Sequence, residues 1–241
     1  HGAAYAVVEA VSKAVAAGAA YWNMRFSYQE YFERMTSDPA TWGKPVAALL
    51  GALKMQDELG LPSIGGRDSM RGTFGKINVP PTLIAFGVTT VNAGKVISPE
   101  FKKVEHYVYL VKHTPVDNYM PDTRQLMGNR DDINRYIAGG EIVSAYAIGC
   151  GGLSEALAKM SFGNKVGVVV NTTEDGLFRY DYGSVVVESR HEIDGDNFIY
   201  LGTTVDDEAV TINVSRMPLD RLLDANTKQF TKIYPVRTQA T

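Results

Sequence analysis

Between two apolar stretches lies Pro62 to Thr82, PSIGGRDSMRGTFGKINVPPT, and this segment restricts the fold more than any other part of the chain. It packs four glycines and a Pro-Pro stop around an Arg-Asp-Ser triplet. Glycine adopts conformations and approach distances that a side chain would block, so Gly65 and Gly66 can bring bare backbone close to another group. Arg67, Asp68 and Ser69 then offer a planar cation, a hard carboxylate and a hydroxyl, which suit phosphate, magnesium and a polar substrate respectively. Read alone, the same residues also fit a Gly-rich hairpin whose charges face water.

The apolar periodicities place this segment in a larger frame. Ala4, Val7, Val8, Val11, Ala14 and Val15 recur at helical spacing and are followed by Gly18, which predicts an opening helix. A second helix is expected over 45–59, with Pro45 in its first turn, Val46, Leu49, Leu50 and Leu53 on one face and Gly60 as its cap. Strands are expected at 63–70 and 83–91, and turn residues then cluster over 92–99. Beyond them HYVYLVK predicts a strand at 106–112, followed by helices near 131–138 and 153–162. Further strands at 166–170, 184–190, 198–204 and 210–214 lead to a final helix from Pro218. This order predicts an α/β (α+β) fold of two units, 1–98 and 99–241, the first incomplete on its N-terminal side.

Composition limits the function. With 45% hydrophobic and 21% charged residues the chain is globular, and its net charge of −3 provides no general attraction to nucleic acid or an anionic membrane. No apolar run approaches the roughly 18 residues that span a bilayer. The single cysteine, Cys150, excludes an internal disulfide and a cysteine-based zinc cluster, as expected of a cytoplasmic protein. His1, His106, His113 and His191 are scattered without metal-ligand spacing and read as strand-end or surface polarity.

The motifs carry a resemblance. GGRDSM, followed by VPPTLIAFGV, resembles the GKDSMS signature in the second synthase half of phosphoribosylformylglycinamidine synthase, the ATP-dependent amidotransferase of purine biosynthesis. RFSYQEYFERM, SAYAIGCGGLSEALAKMSFGN and LDRLLDANTKQFTKIYP resemble the large single-chain form of the same enzyme, so the likeness covers nearly the whole chain. It implies part of an AIR synthase N-terminal-like domain followed by a complete C-terminal-like domain. It also implies ATP and Mg2+ as cofactors, a small nucleotide substrate, and the remaining synthetase half and glutaminase domain as partners. In that family ATP phosphorylates the amide oxygen of formylglycinamide ribonucleotide and ammonia then displaces phosphate, chemistry that depends on positioning and charge neutralisation.

By carry-over from the motif, Asp68 would bind magnesium, Arg67 would contact phosphate, and Ser69 with Met70 would position substrate. Arg67 stands where lysine is usual and Arg71 where serine is usual; arginine supplies a bidentate fork in place of a point charge. Gln29 and Glu30, with Arg25 and Ser27, lie in what resembles the family's active-site edge strand and loop, and are further substrate-binding candidates. The first helix resembles one that gives magnesium a glutamate and an asparagine at an auxiliary nucleotide site. Glu9 keeps the glutamate, Lys13 replaces the asparagine, and Ala147 falls where relatives carry an aspartate. Either Lys13 takes over part of the metal's charge role or that site is empty. Gly151 and Gly152 precede the helix LSEALAKM, whose first amides could hold an anion or could form a tight packed turn.

Three functions follow from these residues: a piece of the synthetase, inactive alone; a degenerate half that binds a nucleotide structurally; or another AIR synthase relative, such as thiamine-phosphate kinase or selenophosphate synthetase. An isolated first unit would also expose an apolar sheet face, which predicts a homodimer through 63–70 and 83–91.

Overall fold

The computed structural model describes residues 1–173, 175–231 and 233–234. Helix α1 (Gly2–Ala16) turns Ala4, Val7, Val8, Val11 and Val15 into the core, as their spacing predicts. It stops before Gly18, whose φ of +93° favours glycine and whose Cβ would meet Lys95 O at 2.5 Å.

Strand β1 (Arg25–Tyr31) alternates, with Phe26, Tyr28 and Glu30 buried. Helix α2 (Pro39–Leu59) begins six residues before the expected Pro45, because Asp38 accepts the Ala40 amide at 3.0 Å and Pro39 suits the first turn. Pro45 thus lies inside the helix, and Gly60 closes it in the left-handed conformation. The apolar face read from spacing is not the buried one: Val46, Leu49, Leu50 and Leu53 are 50 to 60% exposed. The small residues explain this. Gly51 lies so close to α1 that an added Cβ would touch Ala3 Cβ at 3.3 Å, while Ala52, Met55 and Leu59 complete the packed side.

Strand β2 (Ser63–Ser69) pairs parallel with β1, the short hairpin β3 (Thr73–Phe74) and β4 (Ile77–Asn78) follows, and β5 (Thr82–Val88) returns antiparallel. The small sheet therefore runs β2-β1-β5, with β1 at its centre and not at the edge expected for that segment.

The larger sheet has seven strands. Its elements are β6 (Tyr107–Val111), α3 (Thr123–Gly139), β7 (Ile142–Ala147), α4 (Gly152–Phe162), β8 (Gly167–Val170), β9 (Val185–Ser189), β10 (Phe198–Val205), β11 (Ala209–Ile212), β12 (Ser215–Pro218) and α5 (Leu219–Thr231). Their order is β12-β11-β8-β10-β6-β9-β7, and only β8 and β11 pair in parallel. β7 escaped the sequence reading, and the helix expected at 131–138 is the second half of α3, which Asp122 caps by accepting the Gln125 amide at 2.9 Å. One core packs α1, α2, α3 and β1 against one face of the large sheet, through Val8, Val11, Phe26, Met55, Ile133 and Val187. A second lies on the other face, through Val108, Leu110, Leu157, Met160, Val168 and Val186. Helix α1 thus packs against both sheets.

Candidate functional site

The parallel register of β1 and β2 pairs Gln29 with Arg67, Glu30 with Asp68 and Tyr31 with Ser69. Side chains alternate along a strand, so Gln29 and Arg67 share one face of the sheet and Glu30 and Asp68 the other. These residues line a cavity of about 230 Å³. A wider concavity of about 670 Å³ shares Asp68 and Ser69 with it and adds Arg34, Met35, Trp42, Met70 and Arg71. Asp68, Arg67, Ser69, Gln29 and Glu30 thus border one cavity, with Gln29 and Arg67 on the sheet face opposite Glu30 and Asp68, and Met70 joins Asp68 and Ser69 in the wider one.

Backbone contacts hold the segment. Phe32 N donates to Ser69 O at 2.8 Å, Gly72 N to Phe32 O at 2.9 Å and Val79 N to Gly72 O at 2.7 Å. The two neighbouring glycines do different things. A Cβ on Gly66 would approach Tyr28 O at 2.9 Å, whereas one on Gly65 would meet nothing within 4 Å. Gly66 is therefore required by the packing of β2 on β1, and only Gly65 is open to an outside group.

Glu30 is 6% exposed and its Oε1 is buried without a hydrogen-bond partner. Burial and the negative charge of Asp68 push its carboxyl above the ordinary carboxylate range. The adjacent Glu33 is engaged by Lys44 and by Asn78 Nδ2, the latter at 2.6 Å. Among the described residues Arg34, Arg67 and Arg71 make no ion pair. A pair of carboxylates with an orphaned buried oxygen fits a divalent cation, although no group of three or more His, Cys, Asp or Glu side chains suited to a metal occurs among the described residues.

Glu9 and Lys13 lie elsewhere, on α1 beside β7 and the turn before α4. Lys13 Nζ is 2.6 Å from Glu9 Oε1, and the Ala147 side chain offers no oxygen there. Several amides of the turn are taken by the chain itself. Gly151 N donates to Glu155 Oε2 at 2.9 Å, Gly152 N to Gly149 O at 3.4 Å and Ser154 N to Leu177 O at 3.0 Å. The hydrogen bond from Lys159 holds the Glu155 carboxyl below its usual range against the opposing effect of burial, helped by the Gly151 amide and the Lys159 and Lys13 charges. Gly152, at φ +69°, would place a Cβ 2.5 Å from Leu177 O. The close approach that bare backbone allows there is taken by the chain itself.

A third cavity, of about 590 Å³, was missed in the sequence. Tyr5, Tyr119, Tyr180 and Tyr182 wall it, with Lys112 and Arg179 as cations and Asp175 and Asp181 as anions. His113, read as peripheral, is 1% exposed beneath it. Its Nδ1 bonds Tyr182 O at 3.0 Å and its Nε2 accepts the Asp122 amide at 3.1 Å, a pattern that suits the neutral ring. The run RYDYG was the available signal, but only folding brings it to Tyr5 and His113.

No family model matches the sequence, and no curated protein matches it. Solved structures do match, and they identify the architecture as the mixed α/β AIR synthase-like fold. The matched structures include PurLQS from Thermotoga maritima, at TM-score 0.69 and 14% identity, covering 90% of this chain and 40% of that one. Thermotoga maritima PurL complexed with ATP matches at TM-score 0.67 and 12% identity over 91% of this chain and 40% of its own. The HypE-HypF complex matches at TM-score 0.65 and 16% identity over 91% of this chain and 84% of the matched chain. The chain spans about two-fifths of the length of the PurL chains. Among the described residues no helix is long and apolar enough to cross a membrane.

Proposed function

We propose that the chain is part of the ATP-dependent synthetase core of a phosphoribosylformylglycinamidine synthase, acting on formylglycinamide ribonucleotide with ATP and ammonia. The observation that carries the reading is the β1–β2 register, which sets Gln29 beside Arg67 and Glu30 beside Asp68 within the motif that resembles that family. Related folds have been solved as PurL complexed with ATP and as PurL complexed with FGAR, which supports a nucleotide and this substrate class. Arg67 would take phosphate, Ser69, Met70 and Gln29 would orient substrate, and Asp68 would hold Mg2+, which supplies charge neutralisation at the phosphate when bound. At Glu9 the ammonium of Lys13 stands in for a metal ion, and Gly151 and Gly152 shape the turn beside it.

A second reading is favoured by one observation: the HypE match covers 84% of its chain, so another AIR synthase-like enzyme is the alternative. Separate calorimetric titrations of ATP, Mg2+ and both together test the proposal. Metal-dependent ATP binding that weakens in Asp68→Asn supports it. Absence of nucleotide binding at millimolar ATP, with or without Mg2+, removes it. Tighter binding of formylglycinamide ribonucleotide than of other ribonucleotides separates the two enzyme readings.

A further inference from the structure

Glu30 lines the cavity and is paired in register with a second acidic residue, Asp68, while its own Oε1 is buried without a partner. Burial penalises an unpaired charge and a nearby like charge adds to the penalty, so such a pair calls for a cation or a shared proton. Among the described residues neither Glu30 nor Asp68 has an ion-pair partner. Asp68 also borders the wider concavity, where Arg34 and Arg71 have no ion-pair partner among the described residues. Mg2+ is characteristically held by one or two carboxylates together with phosphate oxygens and water.

We propose that Glu30 and Asp68 are the two protein ligands of a divalent cation of the Mg2+ class, and that this cation bridges to phosphate oxygens laid against Arg34 and Arg71. Glu30 is thereby a metal ligand and not a substrate contact, and Arg71 is one arm of an anion clamp. The cation site stands on the carboxylate geometry alone; the phosphate rests on the nucleotide reading above. The site is separate from α1, where Lys13 already neutralises Glu9.

Mn2+, an EPR-visible substitute for Mg2+, gives the test. The intact chain is expected to bind one Mn2+, and pyrophosphate to tighten that binding about tenfold or more, a change worth about 1.4 kcal/mol. Glu30→Gln and Asp68→Asn are each expected to weaken Mn2+ binding at least about tenfold. Arg71→Ala should bind Mn2+ alone as the parent does and lose the pyrophosphate effect. Folding is read separately from thermal melts: metal-free Glu30→Gln should melt at or above the parent, and Mn2+ should raise the melting temperature of the parent only. Unchanged Mn2+ binding in Glu30→Gln, no uptake at millimolar Mn2+, or loss in Glu9→Gln instead would each overturn the site. If ATP fails to bind while Mn2+ binding still depends on both carboxylates, the function reading fails and the cation site stands.

Discussion

Arg130 on α3 donates through Nη2 to Ser12 Oγ on α1 at 2.9 Å, and among the described residues no carboxylate forms an ion pair with it. The guanidinium is fully buried, its Nε and Nη1 have no partner, and burial pulls its pKa down to about 10. A buried cation in this state costs more than an apolar side chain of similar volume. Arg130→Met should therefore leave stability within about 1 kcal/mol of the parent or raise it, whereas Arg130→Ala should lose about 2–5 kcal/mol to the cavity it opens. Urea unfolding curves decide between these outcomes.

The paired glycines of β2 separate fold from function. Gly66→Ala should cost about 1–3 kcal/mol, because its Cβ would press on Tyr28 O at 2.9 Å. Gly65→Ala should keep the parent's stability within about 1 kcal/mol. A fall in nucleotide affinity in Gly65→Ala then reports an approach by ligand; unchanged affinity would show that this strand face meets none.

His113 should make stability depend on pH. Burial holds its pKa below the ordinary 6.5. As pH falls through that value the unfolded chain takes up a proton before the folded one does, so stability present above it is lost on acidification. Urea midpoints measured between about pH 5 and 8 should fall with pH in the parent, and His113→Asn should flatten that component of the slope. An unchanged slope in the variant would assign it to other groups.

If the proposed synthetase role holds, Asp68→Asn in the full-length enzyme should keep the fold and lower turnover by orders of magnitude, since that role sets its charge against phosphate. Arg67→Lys should be mild if the residue supplies charge alone; a loss beyond about tenfold would show that the planar fork is needed. Steady-state kinetics with circular dichroism as a folding control measures both.

Light scattering coupled to gel filtration should give about twice 26.3 kDa. The open face of the small sheet carries Ile84, Phe86 and Val88, all at least 40% exposed, and a two-fold pairing would cover them. A clean monomer at micromolar concentration would exclude that pairing.

Much of this molecule was legible in its sequence because its periodicities are strong. The valines of α1 and the β6 run read correctly as elements from their patterns, and the strand expected at 63–70 is β2. α2 shows why the rest did not. Its leucines keep the same spacing whether they face a core or solvent, and the deciding contact comes from Gly51, whose value depends on α1 lying against it. β7 was hidden because IVSAYA has no alternation: both faces of that strand are covered, so nothing in its pattern marks a surface. The motif around Asp68 was visible, but its pairing with Glu30 is a matter of strand register, which spacing along one segment does not encode.

Helices held by few buried contacts open locally, and their amide protons exchange readily with solvent. α1 is placed otherwise. Because it is wedged between the two sheets and also contacts α2 and α3, opening it means breaking the core that both halves share. The amides of Val8, Val11 and Ser12 should then exchange only by global unfolding, at the rate of the slowest strands of the large sheet. The helix would thus keep time with the sheets it lies between.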